Sequence, residues 1–197
     1  MDIMLVRHAT CAQMDDVLLG RSVDKPLDER GESQARALAR RLQSFWPFTL
    51  ESSPRRRARH TAGIIAAPRD LPVHIVPQMD EIDFGSWSGR TFAALAMDPQ
   101  WLRWNRYRAV SRTPAGDSIR AVQERALKHF HELETRCRND TVVIVTHAEV
   151  IRSLVLLALD VSIDEFTQVE ISPASITALS VHHAELRLDS INEQVAA

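Results

Sequence analysis

The chain has few of the features that would mark it as secreted, metal-bound or nucleic-acid-bound. Two cysteines in 197 residues, Cys11 and Cys137, are too few for a disulfide framework, so a reducing compartment is expected. No apolar run reaches membrane-spanning length, and the stretch Val150 to Leu159 is broken by Arg152. No basic and apolar leader precedes the first strand-like run, so a cytoplasmic location is expected. There is no internal repeat, low-complexity tract or Gly/Ser-rich linker. The formal net charge is −2, which excludes a global pull toward nucleic acid or an anionic membrane. Lysine is nearly missing: of 24 basic side chains only Lys25 and Lys128 are not arginine. Base composition accounts for that bias as readily as a preference for forked recognition of phosphate does. An apolar fraction of 45% is enough for one sizeable core.

Apolar periodicity supplies the elements. Asp2 to Arg7 reads as a strand. Asp28 caps a helix reaching about Phe45, with Leu38, Leu42 and Phe45 on one stripe. Phe48 to Glu51 is a short strand, after which Ser53 and Pro54 form an N-cap and first helical residue. Val73 to Val76 is a further strand. Asp117 caps a long helix striped by Ile119, Val122, Ala126, Phe130 and Leu133. Thr141 to Val145 is a β-branched run suited to a strand buried on both faces. It ends at Thr146-His147 and feeds another helix. Ser162 and Glu165 form a capping box, and Ile176 to Val181 with Leu186 to Ile191 form a closing hairpin. Strands alternating with helices predict one α/β domain over 1–197, a three-layer α/β/α sandwich around a mainly parallel mixed sheet.

Four segments at or near strand ends carry the chemistry. These are Arg7-His8, Ser53 to Ala58 with Arg57, Glu81, and Thr146-His147. Ligands in open α/β sheets bind outside the carboxyl ends of strands, so the placement carries as much information as the residue types. Arg-His alone is weak, since about one such pair arises by chance in this composition, and Arg59-His60 is such a copy. Together the segments offer two guanidiniums for bidentate phosphate binding, an imidazole nucleophile, a second imidazole and a carboxylic acid for the leaving oxygen. Helical spacing puts Arg55 and Arg59 on one face and Arg57 opposite, which suits one functional arginine among exposed neighbours. Glu81 lies beside Asp80 and Asp83, and an isolated acidic loop would merely be solvated. His129 with His131, and His182 with His183, do not share a face, so neither pair is a metal site. Cys11 lacks an arginine at the phosphate-loop spacing of cysteine phosphatases, because position 17 is valine.

Those segments resemble the histidine phosphatase, or phosphoglycerate mutase-like, superfamily. Arg7-His8-Ala9 is similar to its Arg-His-Gly opening. Ser53 through Arg57-Ala58 and Thr61-Ala62 is similar to its Ser-x-x-x-Arg-Ala-x-x-Thr-Ala segment. Glu81 through Phe84-Gly85-Ser86-Trp87-Ser88-Gly89, and Val145-Thr146-His147 before Val150-Ile151-Arg152, fit its remaining motifs. Asp24, Leu27, Gly31 and Gln34-Ala35 fit its first loop and helix. The resemblance implies a phosphoglycerate mutase-like fold, with a small cap-like insertion at about 82–116 over the site.

It also implies a metal-independent phosphomonoesterase that forms phosphohistidine on His8. Arg7, Arg57, His147 and Ala148 would bind the phosphate, and Glu81 would be the proton donor. No cofactor and no metal are expected. The partner would be a small-molecule phosphate monoester, with no nucleic acid and no membrane, and a homodimer stays open. Phosphoglycerate mutase-type transfer is an alternative, but the resembling mutases are longer, with a larger insert and a tail, whereas this sequence closes soon after Ile191. A non-catalytic phospho-ligand or RNA-binding module is the alternative from another class. The aromatic and basic stretch Asp98 to Arg112, with Trp101, Trp104, Tyr107 and Arg108, is read either as substrate-selecting or as an amphipathic helix with tryptophan on its core face. Departures from the pattern are Ala9 for glycine, Thr10 and Cys11, Met14 for a phosphate-contacting asparagine, and Glu149 beside the pocket.

Overall fold

The computed structural model describes residues 1–136, 141–183 and 185–196. The second cysteine, Cys137, lies outside them. Six strands form one sheet: β1 (Asp2–Arg7), β2 (Phe48–Ser52), β3 (Val73–Ile75), β4 (Thr141–Thr146), β5 (Ile176–His182) and β6 (Glu185–Glu193), in the order β3-β2-β4-β1-β5-β6. The first four in that order are mutually parallel, and β5 and β6 add antiparallel pairs at one edge. The expected mixed, mainly parallel sheet is present.

Alternation along β1 separates two cores. Ile3 and Leu5 join Val142 and Ile144 beneath α5 (Ile119–Arg136) and α6 (Ala148–Ala158). Met4 and Val6 join Val143 and Val145 beneath α1 (Glu29–Leu42) and α2 (Arg56–Ala66). Helices therefore cover both faces, which is why Thr141 to Thr146 is apolar without alternation. Residues 82–116 carry α3 (Phe92–Ala96) and α4 (Pro99–Arg106). Trp87 and Trp104 from this segment are fully buried in the first core, with ring centroids 5.8 Å apart. Among the described residues no helix is long and apolar enough to cross a membrane.

The helix ends differ from expectation in four places. Asp28 does cap α1, accepting from the Gly31 amide at 2.8 Å, but the α-helix stops at Leu42 and Gln43–Phe45 is a 3₁₀ turn. Ser53 and Pro54 do not start α2. That helix begins at Arg56, because the Ser53 hydroxyl is turned toward His147 and the chain stays extended through Arg55. The cap of α5 is Ser118, whose Oγ accepts from Ala121 at 3.2 Å, while Asp117 accepts from Arg21. Ser162 caps a 3₁₀ stretch through Asp164, and the Glu165 carboxylate accepts from Gln168, so the reciprocal capping box is not made.

Candidate active site

Parallel register assembles the site. Arg7 pairs with Thr146, and Ser52 pairs with Val145. His8 and His147, the next residues on β1 and β4, therefore emerge level with each other, and Ser53 after β2 stands one position short of them. Two bonds extend the ladder there, from His8 N to Thr146 O at 2.9 Å and from Ser53 N to Val145 O at 2.9 Å. The His8 and His147 rings lie 5.2 Å apart at 63°. Glu81 follows β3 and a 3₁₀ turn. Its carbonyl is held by Arg21 Nε at 2.7 Å and Arg125 Nη2 at 3.2 Å, which fixes the loop that carries the carboxyl group.

The imidazole of His8 has a defined tautomer. Its Nδ1 lies 2.9 Å from the Ala9 carbonyl, which only accepts, so Nδ1 carries the proton. Nε2 then presents its lone pair and accepts from Arg57 Nε at 3.1 Å. Burial, reinforced by the positive charges of Arg57 and Arg7, holds the His8 pKa well below the usual histidine value. The ring is neutral at physiological pH, as a nucleophile requires. The departure at Ala9 carries no backbone cost. Its φ is not positive, and its amide donates to Thr61 Oγ1 at 3.1 Å.

Arg57 is fully buried and reaches both imidazoles. Its Nη2 lies 3.2 Å from His147 Nδ1 and donates to the Gly20 carbonyl at 2.9 Å. Gly20 has φ +54°, a left-handed conformation that glycine adopts freely, and this turns the carbonyl toward the guanidinium. Arg55 was expected to be an exposed neighbour. It is half-buried instead and pairs with Asp80 at 3.0 Å. Arg7 donates to the Ile171 carbonyl at 2.6 Å, and its Nη2 lies 3.6 Å from Met14 Sδ. Ala148 is the first residue of α6 and lines the cleft beside His147.

Glu81 is buried rather than solvated. Its Oε2 lies 3.7 Å from His147 Nδ1 and 3.9 Å from Arg57 Nη2. Burial outweighs the attraction of Arg57, and nearby Glu149 and Asp80 add repulsion, so its pKa is pushed up to about 7. The adjacent carboxylates do other work. Asp80 pairs with Arg55 and Arg21, and Asp83 caps Gly85 through Oδ1 at 2.9 Å. Cys11 is buried and its thiol pKa is raised by that burial, which fits a bystander.

Above this floor the cleft, about 310 Å³, is lined by Leu19, Phe84, Phe92, Trp101, Phe166 and a charged triad. Glu149 accepts from Arg152 Nη1 at 2.6 Å and from Arg108 Nη1. The Arg108 guanidinium sits between the Trp104 ring at 4.0 Å and the Phe166 ring at 3.4 Å. In the sequence Glu149 is only a negative charge beside the pocket, and nothing there pairs it with Arg108. Ser53, with the local pattern of a helix cap, faces His147 instead. Motif position pointed to both residues, but their partners are distant in sequence. Trp101 and Trp104 divide the two readings of their helix, since Trp104 is core and Trp101 lines the cleft. Among the described residues no three His, Cys, Asp or Glu side chains group to hold a metal ion.

The profile of the Histidine phosphatase superfamily (branch 1) matches residues 3–194. Phosphoserine phosphatase 1 of Hydrogenobacter thermophilus is 30% identical over 191 residues, covering 96% of this chain and 89% of that protein. The adenosylcobalamin/alpha-ribazole phosphatase of Escherichia coli is 22% identical over 98% of this chain and 97% of its own. The structure of a mycobacterial glucosyl-3-phosphoglycerate phosphatase complexed with VO3 superimposes with a TM-score of 0.87 at 27% identity. It covers 98% of this chain and 99% of that one.

Proposed function

The chain belongs to the histidine phosphatase superfamily and is a phosphomonoester hydrolase, and we propose that it turns over small-molecule phosphate esters through a phosphohistidine on His8. The observation that carries this reading is the geometry of His8: Nδ1 is tied to a carbonyl and the Nε2 lone pair faces the guanidinium of Arg57 at 3.1 Å. An arriving phosphate takes the N–H groups of Arg57 and Arg7 and frees that lone pair to attack phosphorus in line with the leaving oxygen. Arg57 and Arg7 then neutralise charge on the equatorial oxygens, joined by the amide of Ala148 at the start of α6.

Glu81 in its acid form protonates the departing alkoxide. As carboxylate it then takes a proton from the water that attacks phospho-His8, which returns the enzyme to its starting state. The floor needs no metal ion for these steps. The cleft volume suits an ester with a small alcohol portion that packs on Leu19, Phe84 and Trp101. Phosphoserine and alpha-ribazole phosphate, named by the relatives, are the first substrates to assay.

The test is turnover of a phosphate-monoester panel after exhaustive chelation, with and without His8→Ala. Wild type should hydrolyse members of the panel in chelator and form an acid-labile phosphoenzyme, and His8→Ala should do neither while keeping its circular dichroism. Residual turnover by His8→Ala would reject the covalent route. Activity lost in chelator and restored by a divalent cation would reject the metal-free one.

A further inference from the structure

Ser53 is fully buried at the end of β2, with its Oγ 2.7 Å from His147 Nε2 and 3.4 Å from Asp80 Oδ1. His147 Nδ1 points the other way, into the cleft, at 3.2 Å from Arg57 Nη2. A guanidinium only donates, so in this arrangement Nδ1 holds the lone pair and Nε2–H donates to Ser53. The serine's own hydrogen is then free to go to Asp80, an acceptor already held by Arg55 at 3.0 Å and by the Glu81 amide at 2.8 Å.

This arrangement does not suit a phosphate. Phosphoryl oxygens are acceptors, and a lone pair on Nδ1 would repel them. His147 must become a donor at Nδ1 when phosphate occupies the guanidiniums. Protonating the ring is disfavoured by its surroundings. It is buried, and Arg57 at the start of α2, His8 at the end of β1, Arg125 on α5 and Arg55 all oppose a positive charge. Glu81 and Asp80, from the loop after β3, are the acidic groups that face it. Glu81 lies 3.7 Å from Nδ1 and Asp80 is reached through Ser53.

We propose that Ser53 is a positioning residue, a hydroxyl rotor that lets neutral His147 exchange tautomers as phosphate binds. In the exchange Nε2 releases its proton to solvent and Nδ1 takes one from the solvent of the cleft, so the ring keeps its charge and no proton is left on Ser53 or Asp80. Ser53 Oγ turns its hydrogen from Asp80 to Nε2 and changes from acceptor to donor toward the ring, while it still accepts from the Arg55 amide at 3.3 Å. A hydroxyl can serve both tautomers, which neither a carboxylate nor an apolar side chain can do. Asp80 gives up only a long contact and keeps Arg55, Arg21 and the Glu81 amide.

The inference rests on the phosphate-binding reading of the floor, and one experiment separates the two. The imidazole nitrogens of ¹⁵N-histidine-labelled enzyme are recorded with and without vanadate, with His147 assigned from His147→Asn. Without vanadate Nε2 should be protonated. With vanadate the ring should stay neutral and carry its proton on Nδ1. An imidazolium in the complex, or a proton that stays on Nε2, would overturn the rotor and leave the phosphate site standing. Vanadate that fails to bind or to perturb His147 would overturn both. Ser53→Ala, which removes the donor, should weaken vanadate binding roughly tenfold, the lower end for one hydrogen bond in a charged site. Unchanged affinity in a folded Ser53→Ala variant would also sink the proposal. If that variant does not fold, the wild-type spectra still decide.

Discussion

Two carboxylates share the cleft and meet opposite surroundings. On the floor, buried Glu81 is approached but not gripped: Arg57 and His147 stand 3.9 and 3.7 Å from its Oε2, beyond hydrogen-bond distance. On the rim, Glu149 is gripped by Arg152 at 2.6 Å and by Arg108, itself clamped between two aromatic rings. The floor leaves its carboxyl group free to hold a proton near neutral pH. The rim spends its charges on one another and so fixes a wall that joins α4, α6 and the Phe166 turn. A carboxylate's work in one pocket is set by whether a guanidinium closes on it.

The largest effect should come from Glu81→Gln, which breaks the floor side of the comparison. General acid catalysis contributes about 10²–10⁴-fold, and most where the leaving oxygen is strongly basic. In single-turnover phosphorylation of His8, an alkyl ester should therefore lose far more than 4-nitrophenyl phosphate, whose phenolate departs unaided. Equal losses would remove Glu81 from the acid position. In wild type the alkyl-ester rate should fall as pH rises through about 7, where Glu81 loses its proton.

Stability follows the same group. Its folded pKa is raised above that of the unfolded chain, so its favourable contribution is complete below about pH 4.5 and is lost as pH rises through about 7. Glu81→Gln should thus stabilise the protein at pH 8, by at most about 3 kcal/mol, and leave it nearly unchanged at pH 4. Urea titrations at the two pH values measure this difference, and equal changes at both would contradict the raised pKa.

The rim should break differently. Arg108→Met keeps the stacked volume but leaves Glu149 with Arg152 alone. Removing one partner of a buried pair costs about 3–5 kcal/mol, and the retained Arg152 puts this case near the lower end. For a domain of this size that corresponds to a loss of roughly 6–12 °C in Tm. The double variant Arg108→Met with Glu149→Gln should recover part of it, because no unpaired charge remains. Chemistry at His8 should persist in both. An unchanged Tm for Arg108→Met would mean that the triad is not what holds the wall.

The same contrast explains what could be read from the chain. His8, His147 and Ser53 each directly follow a strand, so their strand-end placement was visible once the strands were. That they meet depends on register, which β1 and β2 take from β4, some 90 or more residues away along the chain. Glu81 was legible only beside its flanking motif, since the loop that carries it is held at its carbonyl by Arg21 and Arg125, and nothing local in the sequence marks either. Ser53 and Asp117 misled for one reason. Both satisfy the local chemistry of a helix cap, but a distant partner, His147 for one and Arg21 for the other, claimed each side chain. Arg108 and Glu149, 41 positions apart, meet only because the fold brings the chain just after α4 to the first turn of α6.

The smallest effect concerns the boundary between floor and rim. Met14 stands where the resembling family places a phosphate-contacting asparagine, and its sulfur lies 3.6 Å from Arg7 Nη2. Thioether sulfur is a weak acceptor and offers no N–H to an anion. Arg7 also donates to the Ile171 carbonyl at 2.6 Å, so the guanidinium is oriented without help from position 14. Met14→Asn should add a donor at the edge of the phosphate site. Inhibition by inorganic phosphate or vanadate should tighten, by no more than about 1.5–3 kcal/mol, the worth of one hydrogen bond to a charged group. The asparagine carbonyl could instead accept from Arg7 and point its amide away. That outcome predicts an unchanged inhibition constant and would show that the floor is complete without position 14. Tighter phosphate binding with a slower release of product from phospho-His8 would show the reverse, that methionine here trades anion affinity for turnover.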